Sequence, residues 1–210
     1  MEWLGDSLVR LRAASSDVRS EAGHQLELVQ RGYAPGDFKP MPDVGAGAIE
    51  IRLHGDTEFR VFYVARFEEA VYVLHCFVKK TAATRKSDID LGRRRYAALL
   101  EEVETMKAIH GAVTITKGSS NVFADLGFSP SEARNLRFRS RMMIALRKFI
   151  EVEGLTQAEA AKRLGVSQPR ISDLNRGKIG RFSLDTLVNM LTDAGLEVDF
   201  RIKPTSRRVA

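Results

Sequence analysis

Several features that mark other classes of protein are missing from this 210-residue chain. Its one cysteine, Cys76, excludes an intramolecular disulfide and favours a reducing compartment. No apolar run approaches the roughly 20 residues of a membrane span, and the N-terminus MEWLGDSLVRLR has no signal-peptide core. His24, His54 and His110 show no metal-ligand spacing. We therefore expect a cytoplasmic protein with no membrane partner, no metal and no cofactor.

The positive charge is concentrated in the second half of the chain. The formal net charge is +6, but residues 1–105 hold 15 Lys and Arg against 17 Asp and Glu, whereas residues 106–210 hold 18 against 10. A basic excess confined to one half is typical of a surface that binds phosphates. With 44% hydrophobic residues, each half has enough apolar mass for a core of its own.

Residues 155–177, LTQAEAAKRLGVSQPRISDLNRG, have the pattern of a helix-turn-helix. Thr156 is placed to cap the first helix, with Glu159 three residues later as its capping-box partner. Gly165 can supply the positive φ that the turn needs. Ser167 is placed to cap a second helix, which would be the recognition helix. The alternative is an ordinary helical hairpin that binds nothing.

The second helix is expected to enter the major groove of duplex DNA. Ile171 and Leu174 give it one buried side, so its polar side chains fall on the other faces. Gln168 suits adenine and Arg170 suits guanine, because each can form a bidentate pair with that base, while Arg176 and its neighbours suit phosphates. The predicted DNA-binding residues are Thr156, Gln157, Ser167, Gln168, Arg170, Ser172, Asn175, Arg176 and Lys178.

The first half has the pattern of an α+β domain. The sequence predicts a helix, three strands of which the first alternates in polarity, and a second helix. Gly55-Asp56 suits a hairpin turn between the first two strands. The predicted elements are a helix over 15–31, strands over 48–54, 58–65 and 70–78 with 66–69 as a connection, and a helix from 87 or 88 to about 103.

The second half is predicted to be helical, with one strand at its end. Residues 104–128 indicate a linker with little regular structure. Leu196 to Lys203 alternates in polarity like a strand, and it has no partner in its own half, so we expect it to pair with its copy in a homodimer. The predicted helices are 130–153, the helix-turn-helix pair and 184–194, and the predicted domains are 1–104, a linker and partner-contacting segment 105–128, and 129–210.

Both halves resemble known families. Residues 118–203 resemble HigA-type, Xre-like antitoxins. The matching segments are GSSNVFADLGFSPSEA, the helix-turn-helix sequence and FSLDTLVNMLTDAGLEVDF. Residues 2–100 resemble phage-derived, HigB/RelE-like toxins. The matching segments are AGHQLELVQRG, FKPMPDVGAGAIEIR, FRVFYVA and VYVLHCFVKKTAATRKSDIDLGRRRYAAL. The resemblance implies a bacterial toxin–antitoxin pair with a RelE-like first domain. Such pairs are usually two proteins; here they are continuous, and Met106 lies where an antitoxin chain could begin.

The resemblance implies a ribosome-dependent mRNA endoribonuclease in the first half, and an antitoxin in the second that binds the toxin and represses its own operon. Cleavage by the ribose 2′-OH needs no metal, only groups that move protons and stabilise charge on the phosphorane. The candidate catalytic residues are Arg52, Arg60, His75, Lys79, Lys80 and Thr81. The general base stays unassigned among them.

Each of these residues has a structural alternative. His75 is equally compatible with a core histidine, Arg52 can pair with Glu50 or Glu58, and the lysines can be ordinary surface charges. The alternative function is a transcriptional regulator whose first half is catalytically inactive and serves assembly only, and a third is an enzyme that acts on untranslated RNA. The expected partners are a palindromic operator, a ribosome with its mRNA, and a second copy of the chain.

Overall fold

The computed structural model describes residues 1–65, 70–105 and 113–199. The connection over 66–69, Met106 and the part of the predicted C-terminal strand after residue 199 lie outside the described residues. The strands are β1 (Glu2–Leu4), β2 (Phe38–Pro40), β3 (Ala48–His54), β4 (Glu58–Val64), β5 (Tyr72–Val78) and β6 (Ile115–Lys117). The helices are α1 (Ser7–Arg12), α2 (Ser16–Gln30), α3 (Lys86–Thr105), α4 (Val122–Asp125), α5 (Pro130–Val152), α6 (Gln157–Arg163), α7 (Gln168–Arg176) and α8 (Leu184–Asp193), with a 3₁₀ turn at Ile179–Arg181.

The strands form one sheet in the order β2-β3-β4-β5-β1-β6. The antiparallel core β3-β4-β5 lies where the sequence predicts three strands, and the hairpin between β3 and β4 turns at Gly55 as expected. β1 pairs in parallel with β5, and β6 pairs antiparallel with β1 at the edge. β1, β2 and β6 have three residues each. A segment so short shows no hydrophobic periodicity from which a strand could be predicted.

The two faces of the sheet bury different side chains. Cross-strand neighbours share a face, so Ile51, Val61 and Cys76 lie together on one side. That side packs against α1 and α2 in the larger hydrophobic core. Phe62 lies on the other side with Tyr96 and Leu99 of α3 in a smaller core. The chain thus places α2 and α3 on opposite faces of the sheet.

The helical second half packs on α2, so the larger core runs through both halves without interruption. His24 Nδ1 lies 2.8 Å from Ser140 Oγ of α5, and both residues are completely buried. A Cβ on Gly23 would lie 2.6 Å from the Phe123 ring, which is closer than any side chain tolerates. Glycine at this position therefore lets α4 approach the α2 backbone.

The segment expected to have little regular structure, 104–128, differs from that expectation. Its described part, 113–128, contains β6 and α4, and α3 runs to Thr105. Arg12 Nε donates to the Asp125 carbonyl over 2.6 Å, and Arg19 Nη1 donates to the Leu126 carbonyl over 2.9 Å. These hydrogen bonds hold the segment against the first half of the chain. Their donors, Arg12 and Arg19, lie more than 100 residues before their acceptors in the sequence.

The long helices begin at side-chain caps. Ser15 caps α2, and Ser129 with Glu132 forms the capping box of α5. The predicted strand over 196–203 is not formed in its described part, because Leu196–Asp199 has no regular structure. A strand needs a partner, and residues 196–199 pair with no strand among the described residues. No helix in the three described ranges is long and apolar enough to cross a membrane.

Candidate nucleic-acid interfaces

The helix-turn-helix begins with a complete capping box at α6. Thr156 Oγ1 accepts from the Glu159 amide over 3.3 Å, and Glu159 Oε2 accepts from the Thr156 amide over 2.8 Å. The Thr156 hydroxyl, which donates to Glu159 Oε2 over 2.7 Å, and then the Thr156 amide lower the pKa of Glu159. Gly165 has a φ of +61°, the left-handed conformation that the turn requires. Both features agree with the sequence prediction.

Helix α7 has the predicted buried side, and it ends at a glycine. Ile171 and Leu174 are completely buried, and Gly177 ends the helix at a φ of +75°. Ser167 occupies the N-cap position, but its side chain makes no capping hydrogen bond. Its hydroxyl is exposed beside the start of the helix and is available to a ligand.

One face of the helix-turn-helix is a shallow groove of about 410 Å³. It is lined by Gln157, Gln168, Pro169, Ser172, Asp173 and Arg176. Four of the predicted DNA-binding residues are therefore brought together, while Thr156 and Ser167 are exposed at the starts of the two helices. Asp173 was not among the predicted residues, and its negative charge lies where a phosphate would be repelled.

Arg170 and Lys178 lie elsewhere than their predicted roles require. Arg170 Nη1 donates to the Arg181 carbonyl over 2.8 Å, with its guanidinium 5.4 Å from the centre of the Phe182 ring. The Lys178 ammonium contacts Glu21 Oε2 at 3.1 Å and the His54 carbonyl. Lys178 is thus a contact with the first half. Asn175 is half-buried and does not line the groove.

In the first half, the two candidate arginines lie side by side on the α3 face of the sheet. Arg52 and Arg60 are cross-strand partners, and the carboxylate of Glu50 lies between them. Glu50 Oε1 is 3.3 Å from Arg52 Nε and 3.8 Å from Arg60 Nε, and Glu50 Oε2 accepts from Thr84 Oγ1 over 3.2 Å. The alternative in which Arg52 pairs with Glu50 is therefore the one observed.

Arg60 is buried rather than presented to a substrate. It is 3% exposed, and it donates to the Phe59 carbonyl over 2.9 Å and to Glu58 Oε2 over 2.7 Å. Hydrogen bonds from Arg60 and His54 lower the pKa of Glu58. Arg60 therefore has the partner that a charge inside an apolar strand requires.

His75 has the environment of a core histidine. It is 1% exposed, stacks on Phe77 with ring centres 5.0 Å apart, and places Nε2 at 3.0 Å from Asp88 Oδ1. Burial lowers the pKa of His75, against the opposing effect of Asp88. This geometry ties β5 to the first turn of α3. It keeps the imidazole away from solvent and from any ligand at the surface.

Lys79, Lys80 and Thr81 are the accessible members of the predicted catalytic set. With Glu58, Arg60 and Ala82 they line a shallow cleft of about 380 Å³ at the end of β5. Thr81 Oγ1 donates to the Ala83 carbonyl over 2.7 Å. The cleft lies with Arg60 on the α3 face, whereas the helical half packs on α2 on the other face. The helix-turn-helix of the same chain therefore does not cover it.

The remaining titratable groups give no sign of a metal or thiol site. The parts of the chain that the structure describes contain no group of three His, Cys, Asp or Glu side chains that could hold a metal ion. Cys76 is completely buried, and burial raises the pKa of its thiol far above the usual range. It behaves as a small core residue.

Comparison with known families gives a match for each half. The model of the phage-derived Gp49-like protein family matches residues 10–97, and a helix-turn-helix domain model matches residues 122–203. The comparison with curated proteins found no match. The chain therefore carries a Gp49-like domain of a toxin family followed by a helix-turn-helix domain.

Proposed function

We propose that the chain is a DNA-binding regulator of the toxin–antitoxin type, whose HigA-like, Xre-like second half binds an operator in its own promoter and represses it. The observation that carries this proposal is the groove of the helix-turn-helix, where Gln157, Gln168, Ser172 and Arg176 meet on one exposed face. Glutamine can read adenine, and arginine supplies either guanine recognition or a phosphate contact. The basic excess of residues 106–210 supports the same conclusion.

The operator is proposed to be palindromic. Two recognition helices in a symmetric dimer meet half-sites about one helical turn, ~34 Å, apart. The segment from Leu196 to Lys203, which alternates in polarity, is the proposed dimer contact. A bacterial cytoplasm, where the chain would meet its own promoter, is the compartment that fits this role.

Footprinting and gel filtration of the full chain test the proposal together. We expect two symmetric protected half-sites upstream of the reading frame, a mass of two chains, and an affinity that falls steeply with salt. Equal binding to the upstream sequence and to random duplex at moderate ionic strength would refute it.

A second candidate function is a metal-independent, ribosome-dependent mRNA endoribonuclease of the HigB/RelE type in the first half. It is supported by the exposed cleft at Lys79, Lys80 and Thr81. The two ammonium groups would stabilise charge on the phosphorane, and the Thr81 hydroxyl would contact the phosphate. Arg52 would contact RNA at the edge of the cleft, and Arg60 would hold Glu58 in place. His75 would act only by fixing the start of α3.

Cleavage of an mRNA during translation by the full chain tests this second function. We expect truncated mRNA with the wild type and none with Lys79→Ala/Lys80→Ala, while the control Lys39→Ala/Lys117→Ala stays active. The same assay without ribosomes distinguishes an enzyme that acts on free RNA. Intact mRNA in every case supports the alternative, a regulator whose first half serves assembly only.

A further inference from the structure

Helix α5 presents a basic face to solvent along most of its length. Arg134, Arg141 and Lys148 follow one another at intervals of seven residues, so they lie on one line along the helix surface. Arg137 lies beside this line, one turn after Arg134. From Arg134 to Lys148 the line is about 21 Å long at 1.5 Å per residue. We call these four residues the α5 basic face.

The charge of this face is largely uncompensated. Among the described residues, Arg134, Arg137 and Lys148 have no carboxylate within ion-pair distance. Arg141 Nε is 3.8 Å from Glu27 Oε1, but that buried carboxylate is also 3.0 Å from Arg31. Arg31 therefore brings a fifth positive charge to the face from the first half of the chain.

Mutual repulsion makes this arrangement unfavourable in the free protein. The pKa of Arg141 is lowered, first by burial and then by the charges of Arg137 and Arg31. Like charges three or four residues apart destabilise a helix by a few tenths of a kcal/mol per pair. A bound polyanion would remove this repulsion and release counterions. The face thus has the electrostatics of a phosphate-binding surface, and it shares no residue with the groove of the helix-turn-helix.

An exposed aromatic ring flanks the basic face, on the side of the line opposite Arg137. Phe138 is 49% exposed, one turn after Arg134 and one turn before Arg141. Aromatic rings between basic side chains suit single-stranded nucleic acid, because an unpaired base can stack on the ring while the cations hold the backbone. In a duplex the faces of the bases are already stacked on one another, so an exposed Phe gains nothing there.

We propose that the α5 basic face, with Phe138 along its edge, is a binding surface for single-stranded RNA, separate from the operator-binding groove. The choice of RNA over single-stranded DNA rests on the proposed function, because Arg31 belongs to the half that is proposed to act on mRNA. The surface would hold a stretch of unpaired message or ribosomal RNA against the molecule without contributing to cleavage. Its basic and aromatic side chains recognise no particular sequence.

Fluorescence anisotropy of the full chain tests the proposal, with labelled oligouridine of about 12 nucleotides as the probe. Oligothymidine and the operator duplex are the comparison ligands. The test variant is Arg134→Gln/Arg137→Gln/Lys148→Gln, whose residues have no partner to lose. The matched control, Lys39→Gln/Lys86→Gln/Lys117→Gln, removes the same charge from exposed sites elsewhere. Phe138→Leu tests the stacking contribution separately.

We expect the α5 variant to weaken oligouridine binding by at least tenfold, and to reduce the slope of log K against log salt by about 2, since each phosphate contact contributes roughly 0.7. Phe138→Leu should weaken it about tenfold. The control should change it less than twofold, and operator binding should stay unchanged throughout. Gel filtration of the α5 variant should give the wild-type mass.

Several results would overturn the proposal. If the α5 variant and the control lose RNA affinity equally, the binding depends on overall charge and not on this face. If Phe138→Leu binds RNA as tightly as the wild type, no base stacks on Phe138. Preference for oligothymidine would identify DNA as the ligand, and a changed mass with unchanged RNA binding would identify a contact between copies. The binding assay contains no ribosomes, so it is independent of the cleavage assay. Absence of mRNA cleavage refutes only the ribonuclease proposal. Oligouridine binding that does not depend on the α5 basic face refutes only the RNA-binding proposal.

Discussion

The side chain of Gln25 donates from Nε2 to the backbone carbonyl of Arg176 over 2.9 Å, and so joins α2 to the last turn of the recognition helix. Its Oε1 accepts from the Gly36 amide over 2.7 Å, and the residue is 2% exposed. Gly177 packs against the same amide, where a Cβ would lie 2.2 Å from Gln25 Nε2. The orientation of α7 is therefore set partly by the Gp49-like domain.

Gly177→Ala should destabilise the protein by about 3 kcal/mol or more. The left-handed φ costs an alanine roughly 1–2 kcal/mol, and the clash with the buried Gln25 adds to this. Gly195→Ala is the matched control, because Gly195 has a φ of +76° and nothing within 4 Å of its would-be Cβ. Urea denaturation measures both, and equal losses would contradict the contact between α2 and α7.

Thr156→Ala should lower the free energy of unfolding by about 1 kcal/mol, because it removes the capping box of α6. Ser167→Ala should change it by less than about 0.5 kcal/mol, since the Ser167 side chain makes no capping hydrogen bond. We expect Ser167→Ala to weaken operator binding instead. Thermal unfolding and anisotropy with operator DNA separate the two effects.

Stability should fall as the pH is lowered through the window set by His24. Burial lowers the pKa of His24 from 6.5 to about 3, with a smaller contribution from the charge of Arg147. Below pH 6.5 the unfolded chain binds a proton that the folded chain excludes, so stability decreases until about pH 3 is reached. The slope from this one group approaches about 1.4 kcal/mol per pH unit.

His24→Gln should flatten this pH dependence, because a neutral amide can still bond Ser140. Part of the slope should remain, since burial also lowers the pKa of His75. His110→Gln removes a different histidine, leaves His24 in place and serves as the control. Urea titrations at pH 7, 6 and 5 give the comparison, and an identical slope in His24→Gln would show that His24 does not exclude the proton.

Arg60→Ala should destabilise the protein by about 3 kcal/mol, because it leaves the buried Glu50 with one arginine fewer and Glu58 without its closest donor. Lys80→Ala should be neutral within about 0.5 kcal/mol, as expected for an exposed side chain. If the two variants unfold at the same urea concentration, the ion pairs of Arg60 contribute nothing to folding.

Gln168→Ala should reduce discrimination between bases at one position of each half-site by about 1–3 kcal/mol. Arg176→Ala should weaken binding to all duplexes and reduce the salt slope by about 1. Anisotropy with the operator, a single-base variant and random duplex tells the two apart. If Arg176→Ala instead loses discrimination between bases, then Arg176 and not Gln168 reads the base at that position.

The sequence predicts the helix-turn-helix well because its determinants are local. The cap at Thr156, the glycine at 165 and the buried pair Ile171 and Leu174 all act within a few residues of one another. The same holds for β3, where the alternation of polar and apolar residues fixes the face of each residue. By contrast β1 exists only through pairing with β5, some 70 residues away, and three residues carry no period.

Site residues were harder to predict than elements, because their roles depend on distant partners. Nothing near Lys178 in the sequence indicates that Glu21 will neutralise it, and these residues are 157 positions apart. His75 and Arg60 have the residue types of catalysis, but the packing of α3 and the carboxylates of Glu50 and Glu58 bury them. Exposure at Lys79 and Lys80 could be predicted only from their place just after a strand.

The single core that passes from the sheet through α2 into α4 and α5 has a consequence for how such a protein can be controlled. Hydrolysis of one peptide bond between residues 106 and 112 would leave the two pieces bound to each other, because the shared apolar core and not the connecting chain holds them together. We therefore expect the two halves, with the functions proposed for them, to stay bound in one-to-one proportion after such a cut.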